Sequence, residues 1–322
     1  MSKGSTRPPR RFAVRQQARG FLLCCALLRA WPALADDTFL DQAAERGIVV
    51  ESAVEVWNQE GAAWPRWNAH DPHSRLRPDY RDWRDFMRDY GEPGHAQGAL
   101  DFVHVVNRGM GALAKFVYLL EQVPVSSLRR DEQLAYWLNL HNARAVELTA
   151  ASLRTISEDD ETTRELVLGE KWREKSLTVE GEALSLVDIE RRIVMRQWPD
   201  PRVQYGLYMP AMGAPGVPQT AFTGATVWKR LGERAHDFIN SRRATEFYEG
   251  QLYVSALYFW DQGLFPNDAA VIAHLRAYAD APLKSRLAKV RKVSATYFNW
   301  RINSFNSGYD RHQDRLGGGS PL

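Results

Sequence analysis

The sequence predicts an α+β fold that is mainly helical and carries a small antiparallel sheet. Apolar residues recur every three to four positions in several segments, most clearly over residues 134–148, as the buried face of a helix requires. Alternating patterns are short, and in residues 176–184 Gly181 stands where a hairpin turn needs a positive φ. With 44% hydrophobic residues among 322, the chain can bury a substantial core.

The first predicted elements are helices. Apolar spacing predicts one helix over residues 39–57 and a second over 80–90, joined by a Trp-, Pro- and His-rich connection at 65–78. A third helix is predicted over 112–122, where Val-Pro ends it, and the fourth is the stripe at 134–148. The predicted elements between residues 39 and 148 are therefore all helices.

The later elements mix helices and strands. The hairpin at 176–184 is followed by Ser-Leu-Val-Asp, a capping box that predicts a helix to about residue 197. The remaining predictions are a strand at 202–209, a Pro- and Gly-rich loop at 210–218, helices at 226–240 and 267–278, a helix or strand at 252–260, and a last strand at 290–297.

The first 35 residues are typical of a secretory signal peptide. A basic stretch runs to Arg19, an apolar run follows at 21–28, and Ala33-Leu-Ala35 is a small-x-small cleavage site. We expect Sec-type export to the periplasm or the medium, with twin-arginine export as the open alternative. The predicted organisation is a signal peptide at 1–35, an N-terminal helical extension at 36–98, a main domain at 99–305 and a disordered tail at 306–322.

Removal of this segment would leave the mature chain without cysteine and with a negative net charge. Both cysteines, Cys24 and Cys25, lie within it, so the mature chain would have no disulfide, thiolate nucleophile or Cys-ligated metal. Residues 36–322 have a formal net charge of −4, which argues against nucleic acid as a partner. No later stretch approaches the roughly 20 apolar residues of a membrane span. The expected partner is an envelope ligand or protein.

Polar side chains interrupt the apolar stripe at 134–148. His141 falls in the middle of the stripe, Asn142 lies at its edge and Asn139 lies further round the helix. An unpaired buried imidazole or amide costs on the order of 1–3 kcal/mol. These three side chains are therefore expected either to meet partners in the core or to line a cleft.

Three motifs occur in order along the chain. They are Glu-Gln-Leu-Ala-Tyr-Trp-Leu-Asn-Leu-His-Asn-Ala at 132–143, Ser-Leu-Val-Asp-Ile-Glu at 185–190 and Asp-Pro-Arg at 200–202. Together they resemble domain-of-unknown-function family 547 (DUF547), and the resemblance extends from about residue 100 to residue 303. It implies a mainly helical fold with a small sheet.

The resemblance also implies groups that this chain lacks. Members commonly carry a His and two Cys after Asp-Pro-Arg, in a loop that looks suited to a thiol-based hydrolase or transferase. Here Gln204 holds the His position, while Met209 and Ala214 hold the Cys positions. Arg191 stands where a His often follows Ile-Glu. A thioether and a methyl group are not nucleophiles, so that thiol chemistry is excluded.

The candidate catalytic residues are His141, Glu190 and Tyr205. His141 replaces the family's usual Tyr, and its unperturbed pKa of about 6.5 suits a general base. The packing alternatives are a buried His141 bonded to a backbone carbonyl, and a Glu190 paired with a neighbouring arginine, Arg191, Arg192 or Arg202. The candidate binding residues are Asn139, Asn142, Met209 and Asn303. Alternatively, the two helix amides tie the loop after the missing cysteines to the helix.

Two functions remain open at this point. The first is a non-catalytic exported relative of the family, a pseudoenzyme that binds a ligand or partner or has a structural role in the envelope. The second is a hydrolase or transferase that uses His141 and Glu190, which requires both in a solvent-reachable pocket with a hydroxyl nearby. No cofactor is expected, and no metal site is predicted because His70 and His73 have no evident third ligand.

Overall fold

The computed structural model describes residues 48–49, 61–92, 98–153, 160–248 and 250–304. The predicted signal peptide, the predicted tail and most of the predicted helix at 39–57 lie outside these residues. Within them the fold is α+β and mainly helical, as the sequence predicts. No helix of the described part is long and apolar enough to cross a membrane.

Helices are the commonest elements of the described chain. They are α1 (Arg81–Tyr90), α2 (Phe102–His104), α3 (Met110–Glu121), α4 (Arg130–Ser152), α5 (Asp160–Leu168), α6 (Glu170–Arg173), α7 (Met195–Gln197), α8 (Val227–Ile239), α9 (Asp268–Tyr278) and α10 (Ala281–Leu287). Wider π turns lie at Val105–Gly109, between α2 and α3, and at Asp188–Val194, before α7. The helices predicted around 80–90, 112–122, 134–148, 226–240 and 267–278 are confirmed.

The strands form two small sheets. Strands β2 (Leu177–Val179) and β3 (Glu182–Leu184) are the predicted antiparallel hairpin. The other sheet has the order β1-β6-β5-β4, from β1 (Ile48–Val49), β4 (Thr245–Tyr248), β5 (Gln251–Ser255) and β6 (Ala295–Asn299). Its β5–β6 pair is parallel and its other pairs are antiparallel, so this sheet is mixed.

Three local predictions are corrected. Residues 202–209 are not a strand, because Pro201–Gly206 form a 3-10 helix whose first turn contains a proline and is capped by the Asp200 carboxylate, 2.9 Å from the Arg202 N–H. The helix predicted over 39–57 is wrong at Ile48–Val49, which pair with β6. The last strand begins at Ala295 rather than at residue 290.

Helix α4 lies at the centre of the core. Almost every residue from Glu132 to Val146 is buried, whichever way its side chain points, so the helix has no solvated face over this stretch. Helix α3 packs along α4, and the π turn at Asp188–Val194 crosses it. From the N-terminal side, the Trp67 ring packs edge-on against Trp137, with centroids 5.0 Å apart. The site residues on α4 are therefore enclosed by several elements.

The capping box starts the segment that carries Glu190. The Ser185 N–H and hydroxyl both donate to Asp188 Oδ2 at 2.8 Å, and the Asp188 N–H donates back to Ser185 Oγ at 3.1 Å. Lys175 and Arg192 add ion pairs to the same carboxylate. This reciprocal arrangement confirms the predicted capping box and fixes the beginning of the π turn.

The hairpin turn depends on two residues in the left-handed region. Gly181 has a φ of 82° and Glu180 a φ of 47°, as a two-residue turn with a type I′ backbone requires. The Glu180 side chain offsets its unfavourable backbone by accepting hydrogen bonds from the Ser126 N–H at 2.7 Å and the Ser126 hydroxyl at 2.6 Å.

Gly181→Ala is expected to lower the free energy of unfolding by about 1–2 kcal/mol. A Cβ at this position would meet no atom within 4 Å, so the cost comes from the backbone alone. Gly111→Ala is the matched control, because its Cβ would also lie in open space but its φ is helical. That variant should gain about 0.5–1 kcal/mol. Urea unfolding measures both, and equal effects would contradict the prediction.

Candidate functional site

His141 and Glu190 form a buried pair between α4 and the π turn. His141 Nε2 lies 2.7 Å from Glu190 Oε1, and the exposed fraction of the two side chains is 0% and 4%. The same carboxylate oxygen accepts a hydrogen bond of 2.8 Å from the Trp172 indole N–H. The sequence-based candidates His141 and Glu190 are therefore brought together, and Trp172, which sequence reasoning missed, completes the contact.

Both ring nitrogens of His141 face oxygen acceptors. Nδ1 lies 3.1 Å from Asn142 Oδ1, which also accepts the Tyr208 N–H at 2.8 Å. The ring is therefore held between the Glu190 carboxylate and the Asn142 amide oxygen. Burial raises the pKa of Glu190, but the hydrogen bond and charge of His141 outweigh it and hold that pKa below its usual value.

The predicted partner of His141 is corrected, whereas one of the three arginines predicted for Glu190 does pair with it. His141 bonds two side chains rather than a backbone carbonyl. Glu190 Oε2 lies 4.0 Å from Arg191 Nε, whereas Arg192 pairs with Asp188 and Arg202 pairs with Asp200. In the described part of the chain, no hydroxyl is hydrogen-bonded to His141. A general base needs a free lone pair within reach of a substrate proton, whereas both His141 nitrogens face oxygen atoms in a buried position.

The two candidate amides of α4 hold backbone rather than facing a cleft. Asn142 Nδ2 donates to the Gly206 carbonyl at 2.8 Å while its Oδ1 accepts from Tyr208. Asn139 makes a matching two-way contact with Phe222, donating to its carbonyl at 2.8 Å and accepting from its N–H at 2.9 Å. Asn139 therefore ties the chain after Ala214 to α4, as the packing alternative predicts, whereas Asn142 holds the chain before Met209.

The loop that carries the two substituted Cys positions is enclosed. Met209 and Ala214 are both buried, at 7% and 0% exposed. The Gly213 N–H donates to the Asn299 carbonyl at 2.8 Å, and the Asn303 N–H donates to the Pro210 carbonyl at 2.7 Å. Asn303 also donates from Nδ2 to the Gly98 carbonyl at 3.0 Å. Met209 and Asn303 therefore belong to a buried, backbone-paired region of this chain.

Tyr205 lies in a different cluster. Its hydroxyl is 2.9 Å from His274 Nε2 and 3.3 Å from the Tyr258 hydroxyl. The His274 and Tyr205 rings are nearly parallel, with centroids 5.8 Å apart. Burial holds both phenol pKa values well above 10. Sequence reasoning missed His274, although it stands on the apolar stripe of α9 with Val271 and Leu275, the same kind of signal that singled out His141.

His274 should make folding stability sensitive to acid. Burial lowers its pKa from 6.5 to about 4, the Asp200 charge partly opposes this, and Arg202 adds to it. The titratable groups that contact the ring are Tyr205 and Tyr278, in addition to these two charges. Below pH 6.5 the unfolded chain takes up a proton that the folded chain does not, so stability falls as pH falls towards 4.

His274→Gln is therefore expected to flatten the pH dependence of unfolding. Between pH 7 and pH 5 the variant should lose about 1–2 kcal/mol less stability than the unmodified chain, since the glutamine does not titrate. Urea unfolding at both pH values measures the difference. Equal losses in the two proteins would show that His274 is not protonated differently in the folded and unfolded states.

Metal ligation finds no support in the described residues. They contain no group of three or more His, Cys, Asp or Glu side chains arranged to hold a metal ion. His70 and His73 bond locally in an exposed loop, the His70 Nδ1 to the Asn68 carbonyl at 2.8 Å and the His73 N–H to Asp71 at 2.8 Å.

Residues 125–239 match a family model described as a protein of unknown function, DUF547. The chain contains a DUF547 domain. The matched segment includes α4, the hairpin, both halves of the His141–Glu190 pair, Tyr205 and Met209, while Asn303 and His274 lie beyond it. No curated protein and no solved structure matches the chain.

Proposed function

We propose that this chain is an exported, non-catalytic DUF547-domain protein that binds a ligand or partner or has a structural role in the envelope. The observation that carries the proposal is the closed His141–Glu190 pair. Glu190 Oε1 contacts His141 Nε2 and the Trp172 indole N–H, His141 Nδ1 contacts Asn142 Oδ1, and both side chains are buried. Such a pair orders a core, and it offers a substrate neither a free base nor an adjacent nucleophile.

The substituted loop supports the same proposal. The resemblance places reactive groups at the positions of Gln204, Met209 and Ala214, and none of these side chains can supply a thiolate or an imidazole. All three are buried, and the loop around them is paired to β6 and the residues after it. The alternative, a hydrolase or transferase based on His141 and Glu190, would have to open this region of the fold.

A turnover screen tests the non-catalytic proposal. The purified mature chain is assayed with ester, amide, glycoside and phosphoester substrates beside Glu190→Gln, which keeps the size of the side chain and removes its charge. We expect no turnover by either protein. Turnover by the unmodified chain that Glu190→Gln abolishes without loss of fold, checked by circular dichroism, would establish the hydrolase alternative instead.

Export is the second part of the proposal. It is supported by the basic stretch, the apolar run at 21–28 and the Ala-Leu-Ala site before Asp36. Fractionation of expressing cells, with mass spectrometry of the purified product, should find a chain beginning at Asp36 outside the cytoplasm. An intact product that remains in the cytoplasm would overturn this part. Replacement of Arg10-Arg11 by two lysines separates twin-arginine export from the Sec route.

A further inference from the structure

A polar and aromatic cluster surrounds the Asp-Pro-Arg motif. Asp200 and Arg202 form a double hydrogen bond, with contacts of 2.9 and 2.6 Å, and each remains about one third exposed. The Arg202 guanidinium lies over the Trp228 ring, 4.9 Å from its centroid. His274 and Tyr278 pack beside this pair, with ring centroids 5.1 Å apart. We call these five half-buried residues the Asp-Pro-Arg cluster.

Hydrogen bonds from neighbouring residues fix the orientation of two rings in the cluster, those of His274 and Trp228. The Tyr205 hydroxyl is hydrogen-bonded to Nε2 of the His274 ring and also to the Tyr258 hydroxyl. Among the described residues none bonds to Nδ1, so this nitrogen is the one left for a further partner. The indole N–H of Trp228 donates to Asp131 at 2.9 Å, which fixes the rotation of that ring. The aromatic rings are therefore held in place before any ligand arrives.

The cluster has no net charge near neutral pH. Asp200 and Arg202 neutralise each other, and the low pKa of His274, lowered mainly by burial, leaves its ring uncharged. An anionic or cationic ligand would have to disturb the ion pair to find a partner. A neutral ligand can instead use the free lone pairs of the carboxylate and the remaining N–H groups of the guanidinium, which stand side by side.

We propose that the Asp-Pro-Arg cluster binds a neutral saccharide. Adjacent hydroxyls of a sugar ring each donate and accept, matching a carboxylate beside a guanidinium, and the C–H faces of the ring pack on aromatic surfaces such as Trp228 and Tyr278. Nδ1 of His274 adds a third polar contact. The inference deepens the proposed binding function, on which it rests, by naming the residues and the class of ligand.

The test measures binding of three neutral trisaccharides to the folded mature chain. Isothermal titration calorimetry with triacetylchitotriose, cellotriose and maltotriose is compared with tri-alanine as a peptide probe. We expect saturable binding of at least one trisaccharide, weakened about tenfold or more by Trp228→Ala and about fivefold or more by Asp200→Asn. Asn keeps the cap of the 3-10 helix, so the second variant changes the ligand contact and preserves the local fold.

Two controls isolate the cluster. Trp228→Phe keeps a ring and should retain binding within about threefold. Trp64 is another half-buried indole, and the Arg192 guanidinium lies over its ring, 4.4 Å from the centroid. Trp64→Ala should leave binding unchanged, because this ring is outside the Asp-Pro-Arg cluster. Binding that survives Trp228→Ala, no binding to the folded chain, or binding of tri-alanine alone would each overturn the inference.

The failure of this inference is distinct from that of the proposed function. Mass spectrometry of each trisaccharide after incubation shows whether a glycosidic bond has been broken. Cleavage by the unmodified chain would overturn the non-catalytic function while supporting the saccharide site. Absence of binding would overturn the saccharide site, and the turnover screen would decide the non-catalytic function separately.

Discussion

His141→Ala is expected to lower the free energy of unfolding by about 3–5 kcal/mol, because it leaves a buried carboxylate without its His141 partner. In the unmodified chain Glu190 is 4% exposed in its side chain and receives 2.7 and 2.8 Å contacts from His141 and Trp172. After the substitution the indole contact remains, and Arg191 at 4.0 Å is the nearest charge. Urea unfolding at pH 7 measures the loss.

A second substitution separates the charge effect from the cavity effect. Glu190→Gln in the His141→Ala background removes the unpaired charge, so the double variant should be more stable than His141→Ala alone. His104→Ala is the matched control for burial, since His104 also pairs with a carboxylate, Asp101, but its side chain is 59% exposed. Its loss should stay below about 1 kcal/mol. A double variant no more stable than His141→Ala would contradict the argument.

Asn142→Ala is expected to destabilise the fold by about 2–4 kcal/mol, because it removes the side-chain partners of two buried backbone groups. The Gly206 carbonyl loses its 2.8 Å donor, and the Tyr208 N–H loses its 2.8 Å acceptor. His141 Nδ1 also loses its contact with Oδ1. Thermal and urea unfolding measure the loss, and hydrogen exchange at Tyr208 should accelerate.

The control for Asn142→Ala is a helical asparagine that makes a local bond at the surface. Asn107 Nδ2 donates to the Val103 carbonyl at 2.8 Å in an exposed position. Asn107→Ala should change stability by no more than about 0.5 kcal/mol, since water replaces the lost partner. Comparable losses in the two variants would show that Asn142 does not hold the loop before Met209.

The sequence predicts elements where a local pattern determines the backbone. Helices α1, α3, α4, α8 and α9 follow from apolar spacing, and the hairpin follows from Gly181 between two alternating runs. The same pattern fails at residues 202–209, because alternation over a few residues also fits a 3-10 helix that Pro201 and the Asp200 cap favour. Pairing of β5 with β6 joins residues about 40 positions apart, which no local pattern specifies.

The candidate site shows the same division. Sequence patterns singled out His141, Glu190 and Tyr205 as polar groups in unusual places, and they supplied the motifs that the family match over 125–239 supports. They did not indicate that Tyr205 belongs with His274 rather than with His141. Nor did they predict Trp172, whose indole N–H reaches the Glu190 carboxylate from another helix.

By itself, the sequence determined the class of fold, the positions of the main helices, the resemblance to DUF547 and the absence of Cys at positions 209 and 214, because each depends on residue type or short-range spacing. Only the tertiary structure decided that His141 is buried against the Glu190 carboxylate and that Asp200, Arg202 and His274 meet near the surface. Burial and long-range hydrogen bonds decide whether a polar side chain stabilises the core or faces a ligand, and both arise from contacts between distant segments.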